Sequence, residues 1–220
     1  MRALVIGSSG GIGAAVLGEL KRRGWNVTGL SRKTDGLDVT DSESVTRVLG
    51  ALDGPFDLVF VATGALTSKA RRPEKSLAEV TAAELAAQYA INAIGPMLAL
   101  QQAIHLMPRH RRAVFAALSA RVGSIGDNRL GGWHSYRASK AGLNQLLHGA
   151  AIELRRTHPD LIVAALHPGT VATPFTEAYA ASHTRVPPED AARALIDVID
   201  GLGPEASGGF FDYAGKSVPW

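Results

Sequence analysis

Short apolar runs alternate along the chain with longer segments of helical periodicity. The runs are rich in Val, Leu, Ile and Ala and lack the polar alternation of a half-exposed strand, so we interpret them as strands buried on both faces. These predicted strands cover residues 3–6, 27–30, 58–62, 113–118 and 161–166.

Between the runs lie segments long enough to be helices. Their apolar residues recur at spacings of three and four, the period of one helix face. Asp41 and Thr81 stand at the starts of two such segments, where short polar side chains cap the first free amides of a helix. The predicted helices cover residues 13–23, 42–52, 81–107 and 135–156.

This order of elements predicts one doubly wound domain over residues 1–220, with a parallel sheet and helices on both of its faces. In such sheets ligands bind beyond the carboxyl ends of the strands, so we expect functional residues directly after the apolar runs. Residues 173–188 follow the fifth run and contain Pro, Thr and Ser, and we interpret them as a loop that covers a substrate.

The composition excludes several kinds of site. With 46% hydrophobic and 20% charged residues, the chain is typical of a folded globular protein. It has no cysteine, which excludes disulfide bonds, thiol nucleophiles and thiolate zinc sites, and we expect no metal.

The basic and apolar segments bear on partners and location. The net charge is +3, but the clusters of Lys and Arg close predicted helices, where cations suit the negative end of the helix dipole, so we expect no nucleic-acid partner. No apolar stretch is long enough to cross a bilayer, and glycines interrupt residues 1–20, which lack a cleavage site for export. We therefore expect a cytoplasmic protein without membrane association.

A glycine-rich turn leads from the first predicted strand into the first helix. Its sequence is Gly7-Ser8-Ser9-Gly10-Gly11-Ile12-Gly13. Glycines let the backbone approach a pyrophosphate, and the helix N-terminus offers it free amides. The spacing fits Gly7, Gly11 and Gly13 as one motif and Gly7, Gly10 and Gly13 as another, and such turns also occur for packing reasons alone.

The second predicted strand ends in Ser31-Arg32, where an NAD-selective protein carries an acidic residue for the ribose 2′-hydroxyl. A guanidinium and a hydroxyl can bind a 2′-phosphate instead, and no carboxylate stands there to repel it, so we expect NADP(H) as the cofactor. The alternative is a solvated arginine in a basic stretch. Asp38-Val39 either places a carboxylate beside the adenine amine or begins the next helix.

Tyr136 and Lys140 lie early in the last long predicted helix, and their spacing of four puts them on one face. A free tyrosine has a pKa of about 10, and a neighbouring ammonium favours the phenolate and lowers that pKa. Tyr136 can then protonate a carbonyl oxygen as hydride arrives. Pairs at this spacing also arise by chance on helix surfaces, so the interpretation depends on the other motifs.

Four motifs resemble, in order and separation, those of the short-chain dehydrogenases/reductases. They are Gly7-x-x-x-Gly11-x-Gly13, Asn92, Tyr136-x-x-x-Lys140 and Pro168-Gly169-Thr170-Val171. More narrowly, residues 118–125, 131–133 and 209–220 are similar to the C-factor-like and sniffer-like carbonyl reductases. The resemblance covers essentially the whole chain, and the fold we expect is a single-domain Rossmann fold with a mostly parallel sheet of seven strands.

The resemblance also implies roles for individual residues. Tyr136 is the expected general acid, Lys140 also holds the nicotinamide ribose, and Asn92 binds a water of the proton relay. The expected cofactor-binding residues are Gly7, Ser9, Gly11, Ile12, Gly13, Ser31, Arg32, Asp38, Val39, Gly64, Tyr136, Lys140, Pro168, Gly169, Val171 and Thr173. The expected substrate is a small carbonyl compound or alcohol, and the expected assembly is a homodimer or homotetramer.

Two positions depart from the family's pattern. Ala62-Thr63-Gly64 keeps the glycine of the usual Asn-Ala-Gly but loses the asparagine. Ser119-Ala120 lacks the second of two paired serines, the one that normally polarises the carbonyl. Ser119 points to the opposite face of a regular strand unless a bulge re-aims it, and Ser124 is the alternative; we favour Ser119 as the fourth catalytic residue because a strand end is rigid.

The altered serine leaves a second class of function open. A non-enzymatic NADP(H)-binding sensor or signalling protein on the same fold is compatible with it, although the Tyr136, Lys140 and Asn92 set argues for an enzyme. An epimerase or dehydratase of the extended branch shares the Tyr/Lys pair but needs an extra C-terminal substrate domain, for which the chain is too short.

Overall fold

The computed structural model describes residues 1–68, 72–179 and 184–220. In this part of the chain six strands form one sheet, in the order β2-β1-β3-β4-β5-β6, and every neighbouring pair is parallel. The strands are β1 (Arg2–Ile6), β2 (Asn26–Leu30), β3 (Leu58–Val61), β4 (Ala113–Leu118), β5 (Leu161–His167) and β6 (Phe210–Asp212). The prediction of a doubly wound parallel sheet is confirmed.

The predicted count of seven strands is wrong, because the described sheet has six. The chain leaving β2, at one edge of the sheet, turns instead of adding a strand. The amide of Leu37 donates to the carbonyl of Ser31 at 3.3 Å, and the amide of Asp38 donates to the hydroxyl of Ser44 at 3.1 Å. Those donors are therefore not free to pair with another strand.

Helices cover both faces of the sheet, because successive residues of each buried strand face opposite sides. Leu4 and Ile6 pack on one side with α3, α5 and α6, whereas Ala3 and Val5 pack on the other with α1 and α7. The helices are α1 (Gly11–Arg22), α2 (Arg32–Asp35), α3 (Ser42–Gly50), α4 (Ala82–Tyr89), α5 (Gly95–Ala103), α6 (His134–Leu154) and α7 (Pro188–Gly201).

The predicted helix starts at Asp41 and Thr81 are confirmed. Asp41 accepts from the amide of Glu43 at 3.0 Å, and Thr81 accepts from the amide of Glu84 at 3.2 Å. The segment predicted as one helix over residues 81–107 contains a π-helical turn, Ala90–Ile94, between α4 and α5. Such turns widen a helix locally and are frequent at functional sites, and this one carries Asn92.

No helix among the described residues is both long and apolar enough to span a bilayer. No group of three or more His, Asp or Glu side chains in the same ranges is arranged to hold a metal ion.

Candidate active site

A cavity of about 360 Å³ opens at the carboxyl ends of the strands. Its lining combines the turn after β1, the segments after β3, β4 and β5, and the first turns of α6. Of the predicted site residues, it brings together Ser9, Gly11, Ile12, Gly64, Ser119, Tyr136, Lys140, Pro168, Gly169, Val171 and Thr173. The other predicted residues, Gly7, Gly13, Ser31, Arg32, Asp38, Val39 and Asn92, do not line it.

The glycine turn after β1 is sterically specific at three positions. Gly7 has φ +88°, and a Cβ on Gly13 would lie 2.1 Å from the carbonyl oxygen of Gly7. A Cβ on Gly11 would lie 2.5 Å from the methyl group of Thr173, whereas one on Gly10 would meet nothing closer than 3.4 Å. The structure therefore requires glycine at 7, 11 and 13, which selects the first of the two spacings.

The N-terminus of α1 has no side-chain cap and no acidic residue in its first turn. Its positive dipole end is directed at the cavity, because Gly11 and Ile12 belong to the lining. This is the arrangement that binds a phosphate or pyrophosphate.

The residues after β2 form a small capped turn. The hydroxyl of Ser31 accepts from the amide of Thr34 at 3.1 Å, and the carboxylate of Asp35 accepts from the amide of Ser31 at 2.7 Å. The expectation that no carboxylate lies near Ser31 is wrong, because α2 brings Asp35 back to it. Arg32 is 80% exposed and has only a loose ion pair of 3.9 Å with Asp38.

Asp38 and Val39 also serve the local fold. Asp38 accepts from the amide of Thr40 at 2.9 Å and from its hydroxyl at 2.7 Å, and these bonds lower the pKa of Asp38. Val39 is buried against Gly95, where a Cβ would come within 2.9 Å of it.

Tyr136 and Lys140 are buried side by side on α6. The ammonium nitrogen of Lys140 donates to the carbonyl oxygen of Leu118 at 2.7 Å and lies 6.0 Å from the centre of the Tyr136 ring. Burial lowers the pKa of Lys140 to about 7 and raises the pKa of Tyr136 above its ordinary value. The expected lowering of the Tyr136 pKa is thus not found, because loss of solvation disfavours the charged form of both groups.

Asn92 ties the loop after β3 to the helix layer. Its side-chain oxygen accepts from the amide of Ala65 at 2.9 Å, and its nitrogen donates to the carbonyl of Ala65 at 2.9 Å and to Gln88 at 2.7 Å. A Cβ on Gly64 would lie 3.2 Å from the Asn92 oxygen and 3.6 Å from the Lys140 nitrogen. Gly64 thus lets the loop pass close to two of the predicted catalytic side chains, Asn92 and Lys140.

The two candidate serines both have partners within the protein. The hydroxyl of Ser119 donates to the side-chain oxygen of Asn144 on α6 at 2.6 Å, which uses the proton that the predicted role requires. Ser124 accepts from the amide of Asp127 at 3.1 Å and does not line the cavity. Ala120, at the position of the missing serine, does line it.

Outside the predicted loop of residues 173–188, two polar cavity residues were not predicted, Thr63 and His167. The hydroxyl of Thr63 and Nδ1 of His167 are buried without a hydrogen-bond partner among the described residues. Burial lowers the pKa of His167 to about 4, so the ring is neutral near pH 7. Both residues directly follow predicted strands, and ligands bind beyond the carboxyl ends of such strands. The same reasoning could therefore have identified them from the sequence.

The predicted substrate loop begins inside the cavity. Val171, Thr173, Pro174, Phe175 and Thr176 line it, and a short 3-10 helix spans Pro174–Tyr179. Residues 180–183 of the predicted loop lie outside the described residues.

Comparison with known proteins identifies relatives along most of the chain. A family model described as short chain dehydrogenase matches residues 35–183. A 1-hydroxy-2-glutathionyl-2-methyl-3-butene dehydrogenase of Rhodococcus is 32% identical over 99% of this chain and 98% of its own. The C-signal protein of Myxococcus xanthus is 37% identical over 66% of this chain and 84% of its own.

A solved structure supports the same grouping. A short-chain dehydrogenase/reductase of Burkholderia multivorans, crystallised with bound NADP, is 25% identical and superposes with a TM-score of 0.84. The match covers 100% of this chain and 99% of that one.

Proposed function

This chain belongs to the short-chain dehydrogenase/reductase family, and from that premise we propose that it is an NADP(H)-dependent oxidoreductase. It transfers hydride between the nicotinamide and a carbonyl or alcohol substrate, with Tyr136 as the general acid and base. One observation carries the proposal: buried Tyr136 and Lys140 share a single cavity with the glycine turn of α1.

The residues present fit a dinucleotide cofactor. The N-terminus of α1 has no side-chain cap and opens on the cavity, which suits a pyrophosphate. We assign the pyrophosphate to Ser9, Gly11, Ile12 and Gly13, and the nicotinamide end to the cavity lining formed by Lys140, Pro168, Gly169, Val171 and Thr173. When bound, NADPH supplies the hydride. The related Burkholderia multivorans protein, with its bound NADP, supports the same cofactor here.

Arg32 is the residue we assign to the 2′-phosphate. Its guanidinium is exposed and only loosely paired, so it is free to bind an anion. Asp35 and Asp38 lie in the same turn, but hydrogen bonds from Ser31, Thr34 and Thr40 occupy oxygens of their carboxylates. The preference for NADPH over NADH therefore depends on how far Arg32 outweighs two nearby negative charges.

Burial raises the pKa of Tyr136, which keeps its hydroxyl protonated but makes it a weaker acid, so giving its proton to a carbonyl oxygen requires a positive charge beside the tyrosinate that forms. Lys140 stands beside it with a pKa of about 7, so a modest change in its surroundings decides whether it carries a charge. Its bond to the carbonyl of Leu118 fixes its position at the end of β4. Asn92 positions the loop at Gly64 against this pair.

A second candidate, an NADP(H)-binding signalling protein without turnover, is favoured by one observation. Ala120 stands where the family has the serine that polarises the carbonyl, and the hydroxyl of Ser119 donates its hydrogen bond to Asn144 instead. The relative named C-signal is consistent with that alternative.

Turnover separates the two functions. We expect the purified protein to oxidise NADPH in the presence of at least one member of a panel of aldehydes and ketones. Tyr136→Phe should reduce kcat by about two to four orders of magnitude while leaving NADPH binding within about twofold. Tyr89→Phe, which changes a tyrosine of α4 outside the cavity lining, is the matched control. NADPH binding with no turnover of any carbonyl compound would favour the signalling protein instead.

A further inference from the structure

Two aromatic rings flank Tyr136. The centre of the Trp133 ring lies 6.3 Å from the centre of the Tyr136 ring, edge to face, and that of Phe175 lies 6.1 Å away at an angle of 57°. Trp133 comes from the turn before α6, whereas Phe175 comes from the segment after β5. The tyrosine ring is thus held between side chains from two distant parts of the chain.

The backbone at Trp133 is costly to form. Trp133 has φ +51° and is the only non-glycine residue in the described ranges with a positive φ. Gly131 and Gly132, which precede it, also have positive φ. A left-handed conformation at a bulky residue is unfavourable and persists only where surrounding contacts impose it.

Glu74 supplies those contacts. Its carbonyl oxygen accepts from the amide of Trp133 at 2.6 Å, and its buried carboxylate accepts from the hydroxyl of Ser135. Glu74, which lies outside α6, therefore stabilises the strained backbone at Trp133. This backbone conformation places the indole ring against Tyr136.

Phe175 is the second ring beside Tyr136, and it is more exposed than Trp133. It is 39% exposed and lines the cavity, so part of its ring faces the space where a substrate must lie to reach the Tyr136 hydroxyl. An aromatic side chain that lines a cavity in this way gains most from a ligand with a flat apolar surface.

Beyond the cofactor, the ionisable groups of the cavity point to an uncharged substrate. Among its described lining residues, the ionisable side chains are Tyr136, Lys140 and His167, and none is a carboxylate or guanidinium. Lys140 is bonded to the carbonyl of Leu118, and His167 is neutral near pH 7. A cationic substrate would lose its hydration without finding a carboxylate among these residues, and an anionic one would find only Lys140, which we assign to the cofactor.

On the basis of the proposed function, we propose that Phe175 is the specificity-determining residue of this site and selects uncharged ketones or aldehydes with an aromatic ring beside the carbonyl. The aromatic ring packs on Phe175 while the carbonyl oxygen meets the Tyr136 hydroxyl. In the reduction the carbonyl carbon gains hydride from NADPH, its oxygen gains the Tyr136 proton, and NADPH leaves as NADP⁺. The tyrosinate regains its proton from solvent.

The test compares two ketones of the same skeleton, acetophenone and cyclohexyl methyl ketone, which differ in having a flat or a puckered ring. Because aromatic pairs add about 0.5–1.5 kcal/mol beyond buried area, we expect Phe175→Leu to lower the acetophenone-to-cyclohexyl ratio of kcat/KM about two- to twelvefold. Phe175→Tyr keeps the ring and should keep the ratio. The ratio of variant to native cancels the different intrinsic reactivity of the two ketones.

A binding measurement removes chemical reactivity altogether. Calorimetry on the NADP⁺-loaded protein, in which neither ketone can be reduced, should show that Phe175→Leu weakens the binding of acetophenone by the same factor relative to cyclohexyl methyl ketone. If Phe175→Leu leaves both ratios unchanged while the protein still reduces ketones, the role of Phe175 is refuted and the oxidoreductase stands. If the native protein reduces no carbonyl compound, the proposed oxidoreductase falls and this role falls with it.

Discussion

Replacing Ser119 by alanine tests what this hydroxyl does. In the structure the hydroxyl donates to Asn144 at 2.6 Å, both side chains are buried, and the Asn144 amide nitrogen has no partner among the described residues. Ser119→Ala would leave the Asn144 oxygen without its donor as well. A buried polar group that loses its partner costs about 1–3 kcal/mol.

That cost is measurable as a change in stability. For a chain of 220 residues, each kcal/mol corresponds to roughly 2–4 °C in Tm, so Ser119→Ala should lower Tm by roughly 2–12 °C. A hydroxyl engaged elsewhere contributes little to polarising a carbonyl, so kcat should fall less than about tenfold. A donor that stabilises the developing oxyanion would instead be worth about a hundredfold or more in kcat.

The assay combines thermal unfolding with steady-state NADPH oxidation on any accepted carbonyl compound. The double variant Ser119→Ala with Asn144→Leu removes both polar partners, and it should lose less stability than the sum of the two single changes. Ser124→Ala serves as the control outside the cavity. A hundredfold loss of kcat in Ser119→Ala with an unchanged Tm would refute this reasoning and restore Ser119 as the polarising group.

Three further predictions concern the cofactor, the turn before α6 and pH. Arg32→Ala should reduce the ratio of NADPH to NADH affinity about ten- to a hundredfold in binding titrations, since a charge-assisted phosphate contact is worth about 1.5–3 kcal/mol; an unchanged ratio would remove Arg32 from the site. Glu74→Gln should lower both Tm and kcat, because the carboxylate that holds Ser135 next to Tyr136 is lost, whereas the exposed Glu43→Gln should change neither. The pKa of Lys140 is about 7 in the folded protein and 10.5 ordinarily, so between these pH values the unfolded chain binds more protons than the folded one. The free energy of unfolding therefore rises with pH in this range. Urea titrations at pH 7 and pH 9 should show this rise in the native protein and a smaller rise in Lys140→Met.

Much of the framework could be predicted from local patterns. Buried parallel strands are continuous apolar runs, and helix starts carry their own caps, so the strands and the caps at Asp41 and Thr81 follow from neighbouring residues alone. Because ligands bind beyond the carboxyl ends of parallel strands, the sequence also indicated the turn at Gly7, the pair on α6 and the segment after β5 as parts of the site. These three segments share the cavity.

Other features depend on which distant groups meet. The return of Asp35 to Ser31 and the turn that replaces a further strand after β2 come from side-chain partners of backbone amides. The partner of Ser119 lies 25 residues away on α6, and the support of Trp133 lies in the segment before α4. The spacing of apolar residues along the chain does not indicate which of these distant groups will form hydrogen bonds.

The sequence by itself determined the doubly wound fold, the glycine turn and the pairing of Tyr136 with Lys140, because hydrophobic period, glycine placement and a spacing of four are properties of adjacent residues. Only the tertiary structure decided that Gly11 rather than Gly10 is required, that Ser119 is bonded to Asn144, and that burial raises the pKa of Tyr136. The physical reason is that steric limits, hydrogen-bond partners and solvation are set by every segment that packs around a side chain, and those segments come together only in the folded chain.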